Sequence, residues 1–198
     1  MRQFFVSLLI LCLLTNTAAA LAPMNGAAIR EAHQYGKQHN RTVLSDFLIP
    51  WISYEEKVTA INDAADRAYL YTPFLLLALD AREKTLQGKA PGSWAAEKVL
   101  TEYTGFVVIS VILYGDSPDF VKGTEAALTQ DGRIFRLYHA TFPGKTVRTA
   151  WTKPRPLYSA QCYFYFYDQG LDNKKTLLLN LTNKGQQRKF YFDLEKIK

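Results

Sequence analysis

The hydrophobic period of this chain changes once, near Tyr103–Gly105, and that change limits its possible folds more than any other feature. Before it, apolar residues recur at helical spacing. After it, they run in short stretches separated by turn residues. This order predicts an α+β protein: an N-terminal helical segment packed on a C-terminal antiparallel β-sheet or small β-sandwich. The helical part is expected over residues 23–104 and the antiparallel β part over 105–198.

In the first half, Asn25 is placed to cap a helix reaching about Gln38, in which Ala28, Ile29, Ala32, His33 and Tyr35 fall at helical spacing. Gly36 weakens that helix by roughly 1 kcal/mol relative to alanine. Ser53-Tyr54-Glu55-Glu56 has the form of a capping box, and Val58, Ile61, Ala65 and Ala68 follow at three- and four-residue spacing. Together they predict a helix from Tyr54 to about Tyr71. Thr72-Pro73 reads as a kink or a new cap with a first-turn proline. The next helix runs to about Gln87 and closes at Gly88. A shorter one, Trp94 to Tyr103, has Ser93 as its cap. The apolar stripe of this half (Val58, Ile61, Ala65, Ala68, Leu75, Leu76, Leu79) has to be buried somewhere.

In the second half, Phe106–Tyr114 (FVVISVILY) is apolar on both parities, which predicts a strand covered on both faces. Asp131-Gly132 lies between Glu125–Thr129 and Arg133–Phe142, a hairpin signal. Pro143, Pro154 and Pro156 make 143–157 a long connection, with an edge strand at Val147–Trp151. Thr176–Leu181 and Arg188–Leu194 form a second hairpin around Thr182–Gly185. About six strands are expected.

The first 22 residues have the layout of a secretory signal peptide. Arg2 opens a short positive start, Phe4–Leu14 is apolar apart from Ser7, and Ala18-Ala19-Ala20 offers a cleavage site. The run is shorter than the roughly 20 residues a membrane helix needs, and no later stretch reaches that length. Cys12 sits within the run, which argues against a lipid anchor. The expectation is an exported protein, periplasmic or extracellular, with no transmembrane helix after signal removal. The remaining chain, about 175 residues, is long enough for a sizeable core. Of the two cysteines only Cys162 remains, so no intramolecular disulfide can form and packing alone must hold the fold. The net charge of +6 falls to +5 with loss of Arg2. The basic residues are scattered rather than clustered with aromatics, which speaks against nucleic acid.

Motifs for catalysis are absent. His33 and His39 point to different helical faces, His139 is remote, and no H-x-x-x-H, H-E-x-x-H or C-x-x-C occurs, so no metal is assigned. No G-x-S-x-G elbow, S-x-x-K, Walker A or G-x-G-x-x-G sequence is present, and no cofactor is implied. The carboxylate pairs Asp63/Asp66, Glu55/Glu56 and Asp80/Glu83 read as solvated helix faces. A Cys162–His139 pair is conceivable, although the parity of Cys162 places its thiol among apolar neighbours.

What remains is aromatic surface. In Tyr158–Tyr167, Ala160, Cys162, Phe164 and Phe166 share one parity and Gln161, Tyr163, Tyr165 and Tyr167 the other. The three tyrosines form a ridge about 13 Å long at strand rise. Trp151 and Tyr158 extend it if the preceding connection folds back. Tyrosine stacks on sugar rings and peptide groups and is enriched at interfaces. Tyr163, Tyr165, Tyr167, Trp151 and Tyr158 are therefore the candidate binding residues of a non-catalytic module for an envelope protein or polysaccharide. Two readings compete with it. The tyrosine face is instead the wall on which the helices lie, or the protein is an envelope hydrolase whose site is assembled from distant residues.

Overall fold

The structure is a computed structural model that describes residues 24–91 and 93–197. The expected signal peptide lies outside the described residues. The chain is α+β. Helix α1 (Gly26–Gln38) begins where expected, because the Asn25 side-chain oxygen Oδ1 accepts from the amides of Ala27 and Ala28, both at 3.0 Å. A short helix α2 (Leu44–Phe47) and a 3₁₀ turn (Ile49–Trp51) lead into strand β1 (Ile52–Tyr54).

Here the structure departs from the periodicity. Residues 54–71 are not a helix. β1 pairs antiparallel with β2 (Arg67–Tyr71), with Ile52 opposite Tyr69 and Tyr54 opposite Arg67. Tertiary partners take the groups that had the form of a capping box. The Ser53 hydroxyl accepts from the amide of Tyr191 at 2.9 Å, and Glu56 takes the Tyr191 hydroxyl at 3.1 Å and Lys189 at 3.3 Å. Asn62 closes the intervening turn by accepting from the amide of Ala64 at 2.8 Å. The apparent stripe does not form one face: Ala65 and Ala68 are buried, whereas Ile61 is 70% exposed.

Helix α3 (Pro73–Leu86) follows, its first turn fixed by Pro73 and by the Thr72 hydroxyl accepting from Leu75 at 3.1 Å. Helix α4 (Ser93–Tyr103) precedes the long strand β3 (Phe106–Gly115). Then come β4 (Glu125–Gln130), β5 (Arg133–Phe135), β6 (Leu137–Thr141), β7 (Val147–Arg148), β8 (Tyr158–Tyr167), β9 (Thr176–Asn183) and β10 (Gln186–Asp193).

These strands make two antiparallel sheets. One has the order β1-β2-β3-β8-β6, with β7 also pairing to β8, and the other β10-β9-β4-β5. Both expected hairpin turns are present. Asp131-Gly132 and Lys184-Gly185 have positive φ (49°, 78° and 48°, 78°), as tight turns that follow strand twist require. The run 133–142, read as one arm, is divided at Arg136. β5 completes the hairpin with β4, and β6 crosses to the other sheet beside β8.

Apolar faces of the two sheets enclose the main core. Val107, Ile109, Val111 and Leu113 of β3 meet Ala160, Cys162, Phe164 and Phe166 of β8. Opposite them lie Leu128, Leu177, Leu179, Leu181, Phe190 and Phe192. A second cluster forms around Phe47, Trp51, Phe74 and Leu75 where α1 packs on α3, and it meets the sheet at Tyr71. Hence the main core is closed sheet against sheet, and α1 and α3 build a core of their own.

Candidate functional site

The tyrosine row lies on the outer face of the six-stranded sheet, turned away from the main core. Alternation along β8 dictates this: Ala160, Cys162, Phe164 and Phe166 are buried inward, and Tyr163, Tyr165 and Tyr167 are half-buried outward. Register with β3 sets Tyr163 opposite Ser110, Tyr165 opposite Val108 and Tyr167 opposite Phe106.

The two ends of the row have different surroundings. At Tyr163 the face is covered. Tyr71 meets it edge-on with ring centroids 6.2 Å apart, and its hydroxyl lies near Ser110 and Tyr163. Tyr103, the last residue of α4, lies near Tyr165 and Tyr163. Burial is the main cause that raises the hydroxyl pKa of both Tyr71 and Tyr103, and neighbouring phenols add to it, Tyr163 for the first and Tyr165 for the second. Here the helical half does lie against the tyrosines.

At Tyr167 the face opens. Phe106, Tyr138 and Tyr167 form a three-ring cluster with centroid separations of 4.9, 5.4 and 5.5 Å. The Arg136 guanidinium sits 4.3 Å above the Tyr167 ring, in cation–π geometry. His139 stands beside Tyr165 at 5.9 Å, and its Nε2 is 3.2 Å from the Thr141 hydroxyl. Tyr138, on the edge strand β6, is 60% exposed.

The other two candidates separate. Trp151 does fold back onto the outer face, where it stacks on Tyr114 at 5.4 Å under Arg155 at 4.2 Å. It joins the far end of the sheet and not the tyrosine row, because Tyr114 pairs with Ser159, four residues from Tyr163. Tyr158 stands opposite Gly115, on the parity of Cys162, so it does not continue the row. Phe106, Tyr138 and Arg136 were missed from the sequence. Parity along β3 marks Phe106. Nothing local marks Tyr138 or Arg136, which arrive through the change of sheet at residue 136.

Burial of Cys162 in the main core pushes its thiol up to about 12, leaving it protonated and inert. His139 lies on the opposite face of the sheet, so the conceivable Cys162–His139 pair does not form. His33 sits on α1 with its Nε2 buried and without a partner, and burial lowers its pKa. Among the described residues no group of three or more His, Cys, Asp or Glu side chains converges as a metal site. No protein-family model, curated protein or solved structure matches the chain.

Proposed function

We propose that this is an exported binding module that docks an envelope protein or polysaccharide on the open end of its aromatic face, without catalysing a reaction. One observation carries the reading: the Phe106–Tyr138–Tyr167 cluster under Arg136, on the side of the sheet away from the main core. Rigid aromatic rings flanked by a guanidinium provide large contact area at small entropic cost, which is the usual make-up of a binding hot spot. Export rests on the N-terminal segment described above.

The test is chemical labelling of tyrosines in the mature protein, read peptide by peptide by mass spectrometry. It is run alone, with an envelope protein extract and with envelope polysaccharide. Tyr138 and Tyr167 should label readily in the free protein and Tyr163 poorly. One of the two fractions should protect Tyr138 and Tyr167, and Tyr138→Ala with Tyr167→Ala should abolish its retention. Unchanged labelling with both fractions would remove the proposal.

A further inference from the structure

Apart from the aromatic face, a group of depressions meets at one half-buried ion pair. Three adjoining hollows of about 610, 390 and 360 Å³ surround Asp66 and Arg188. The first and third share Glu55, Lys57 and Asp66, the second and third share Tyr114, and the first and second share Arg188. They form a continuous groove where β2 and β3 of one sheet approach β10 of the other.

The groove is built rather than incidental. Asp66 accepts from Arg188 Nε at 2.7 Å through Oδ2 and from the amide of Tyr114 at 2.8 Å through Oδ1. Both carboxylate oxygens are thereby engaged, and the guanidinium is held by its Nε. Among the described residues Nη1 and Nη2 of Arg188 have no partner. Next to this pair, Glu55 is only 9% exposed. Its Oε2 accepts from the amide of Lys57 at 2.8 Å, and its Oε1 is buried with no hydrogen-bond partner. A buried carboxylate oxygen without a donor is an unusual expense in a folded protein and often marks a place where a ligand completes the bonding. Tyr114 forms an aromatic wall, steadied by Trp151 at 5.4 Å and by Arg67 at 5.7 Å.

The chemistry of this lining selects the ligand. Glu55 and Asp66 balance Lys57 and Arg188, so neither an anion nor a cation is favoured by net charge. The unmet demands are of opposite kinds: Glu55 needs a donor, whereas Arg188 needs an acceptor. A hydroxyl satisfies both at a single atom, and the C–H face of a sugar ring fits an aromatic wall. We propose that the groove is a binding subsite for a neutral saccharide. Its hydroxyls bridge Glu55 and the terminal nitrogens of Arg188, and one sugar ring lies against the edge of Tyr114. Because Asp66 is fully engaged, no acid–base pair is available, and the subsite binds without cleaving. The proposal does not depend on the aromatic cluster around Tyr138. On β8, Ser159, the partner of Tyr114, lies eight residues from Tyr167, roughly 26 Å at strand rise.

The experiment is an NMR titration of the ¹⁵N-labelled mature protein with neutral tetrasaccharides of glucose and of N-acetylglucosamine, and in parallel with a neutral tetrapeptide. Amide shifts should concentrate at Lys57, Tyr114 and Arg188 with at least one sugar and not with the peptide. Glu55→Gln puts an amide where the orphan acceptor stands and should weaken binding about tenfold, by loss of a charge-assisted hydrogen bond. Tyr114→Ala should weaken it at least as much. Should Tyr114→Ala fail to fold, Lys57→Met, at an exposed wall position, replaces it as the second variant. Ile134→Ala, at an exposed position on β5 outside both surfaces, should bind the sugar as the parent does. The proposal is overturned if neither sugar shifts these amides, if the peptide binds in their place, if Glu55→Gln binds unchanged, or if Ile134→Ala alone abolishes binding.

Discussion

Replacing Gly36 by alanine sets two effects of known size against each other. Within an isolated helix the change is favourable by about 1 kcal/mol, since glycine carries the larger backbone entropy. In the folded protein a Cβ at residue 36 would run into the backbone of α3. It would meet the carbonyl oxygen of Ala78 and come within 2.9 Å of both Ala81 Cβ and Arg82 N. Carbon contacts settle at about 3.5–4.0 Å, so the 2.9 Å contacts alone require α1 and α3 to separate by roughly 0.6–1.1 Å, and the closer Ala78 oxygen requires at least the upper value. No rotamer change relieves a clash with backbone. The seam is made of small, fully buried residues, Ala32 on one side and Ala78 and Ala81 on the other, and all lose contact when it opens. A gap of that size forfeits about a quarter to a half of each van der Waals well. Overpacking of this kind costs about 1–3 kcal/mol, and a backbone clash belongs at the upper end. After subtracting the helix-propensity gain, a net loss of about 2 kcal/mol is expected, equivalent to a melting temperature lower by about 4–8 °C in a domain of this size. Urea unfolding followed by far-UV circular dichroism measures it. Gly26→Ala is the control, because a Cβ there meets only the far end of Arg30 at 3.5 Å. A Gly36→Ala protein as stable as the parent would refute the direct α1–α3 contact and the reasoning built on it.

Three further outcomes can be checked by similar means. The Cys162 thiol is raised from 9.0 to about 12 by burial. The folded state thus keeps its proton where the unfolded chain loses it, and stability should fall as pH rises from about 9 to 12, by up to about 4 kcal/mol in total at 1.36 kcal/mol per unit. Cys162→Ala should remove that share of the alkaline loss, and an identical pH profile would contradict it. The Asp66 carboxyl is also raised, mainly by burial and against the opposing pull of Arg188. Its contribution to stability is therefore complete below the ordinary carboxylate range and lost as pH rises through the raised value. Asp66→Asn should flatten the stability profile over that window, which chemical unfolding at a series of pH values would show. Asn183, buried at the end of β9, donates through Nδ2 to the carbonyls of Phe120 (2.8 Å) and Lys122 (3.3 Å) and to the Thr124 hydroxyl (2.7 Å). Asn183→Ala leaves those acceptors without it and should cost about 1–3 kcal/mol, with faster hydrogen exchange over residues 117–124. Unaltered exchange there would show that the segment holds itself.

Much of the β half could be read directly, because alternation and turn chemistry are local. The parity of 158–167 correctly separates the buried Cys162 side from the outward tyrosines. Asp131-Gly132 and Lys184-Gly185 mark both hairpins. The caps at Asn25 and Thr72 are legible for the same reason, since each needs only an oxygen two or three residues before an unpaired amide. The failure at 54–71 is equally instructive. Ser53 and Glu56 stand at the right spacing for a capping box, yet their partners, Tyr191 and Lys189, lie more than a hundred residues away. Helical spacing of a few apolar residues is weak support once a strand edge offers long-range hydrogen bonds instead.

The candidate sites divide along the same line. The sequence by itself determined which residues of β8 share a face, where the tight turns fall, that no intramolecular disulfide can form if the first segment is removed, and that one tyrosine-bearing strand lies in the β half. Alternation, positive φ and cysteine number act over a few residues or none, so no tertiary information is needed to read them. Only the tertiary structure decided that the second sheet, and not the helices, closes the main core. It alone decided that Tyr71 and Tyr103 lie against the row at Tyr163 and Tyr165, and that Arg136 and Tyr138 arrive at Tyr167 by a change of sheet. Glu55, Asp66 and Arg188 likewise meet only because β1, β2 and β10 come together. Each of these outcomes turns on which long-range pairing wins among several of similar local merit, and that competition is settled by burial summed over the whole molecule.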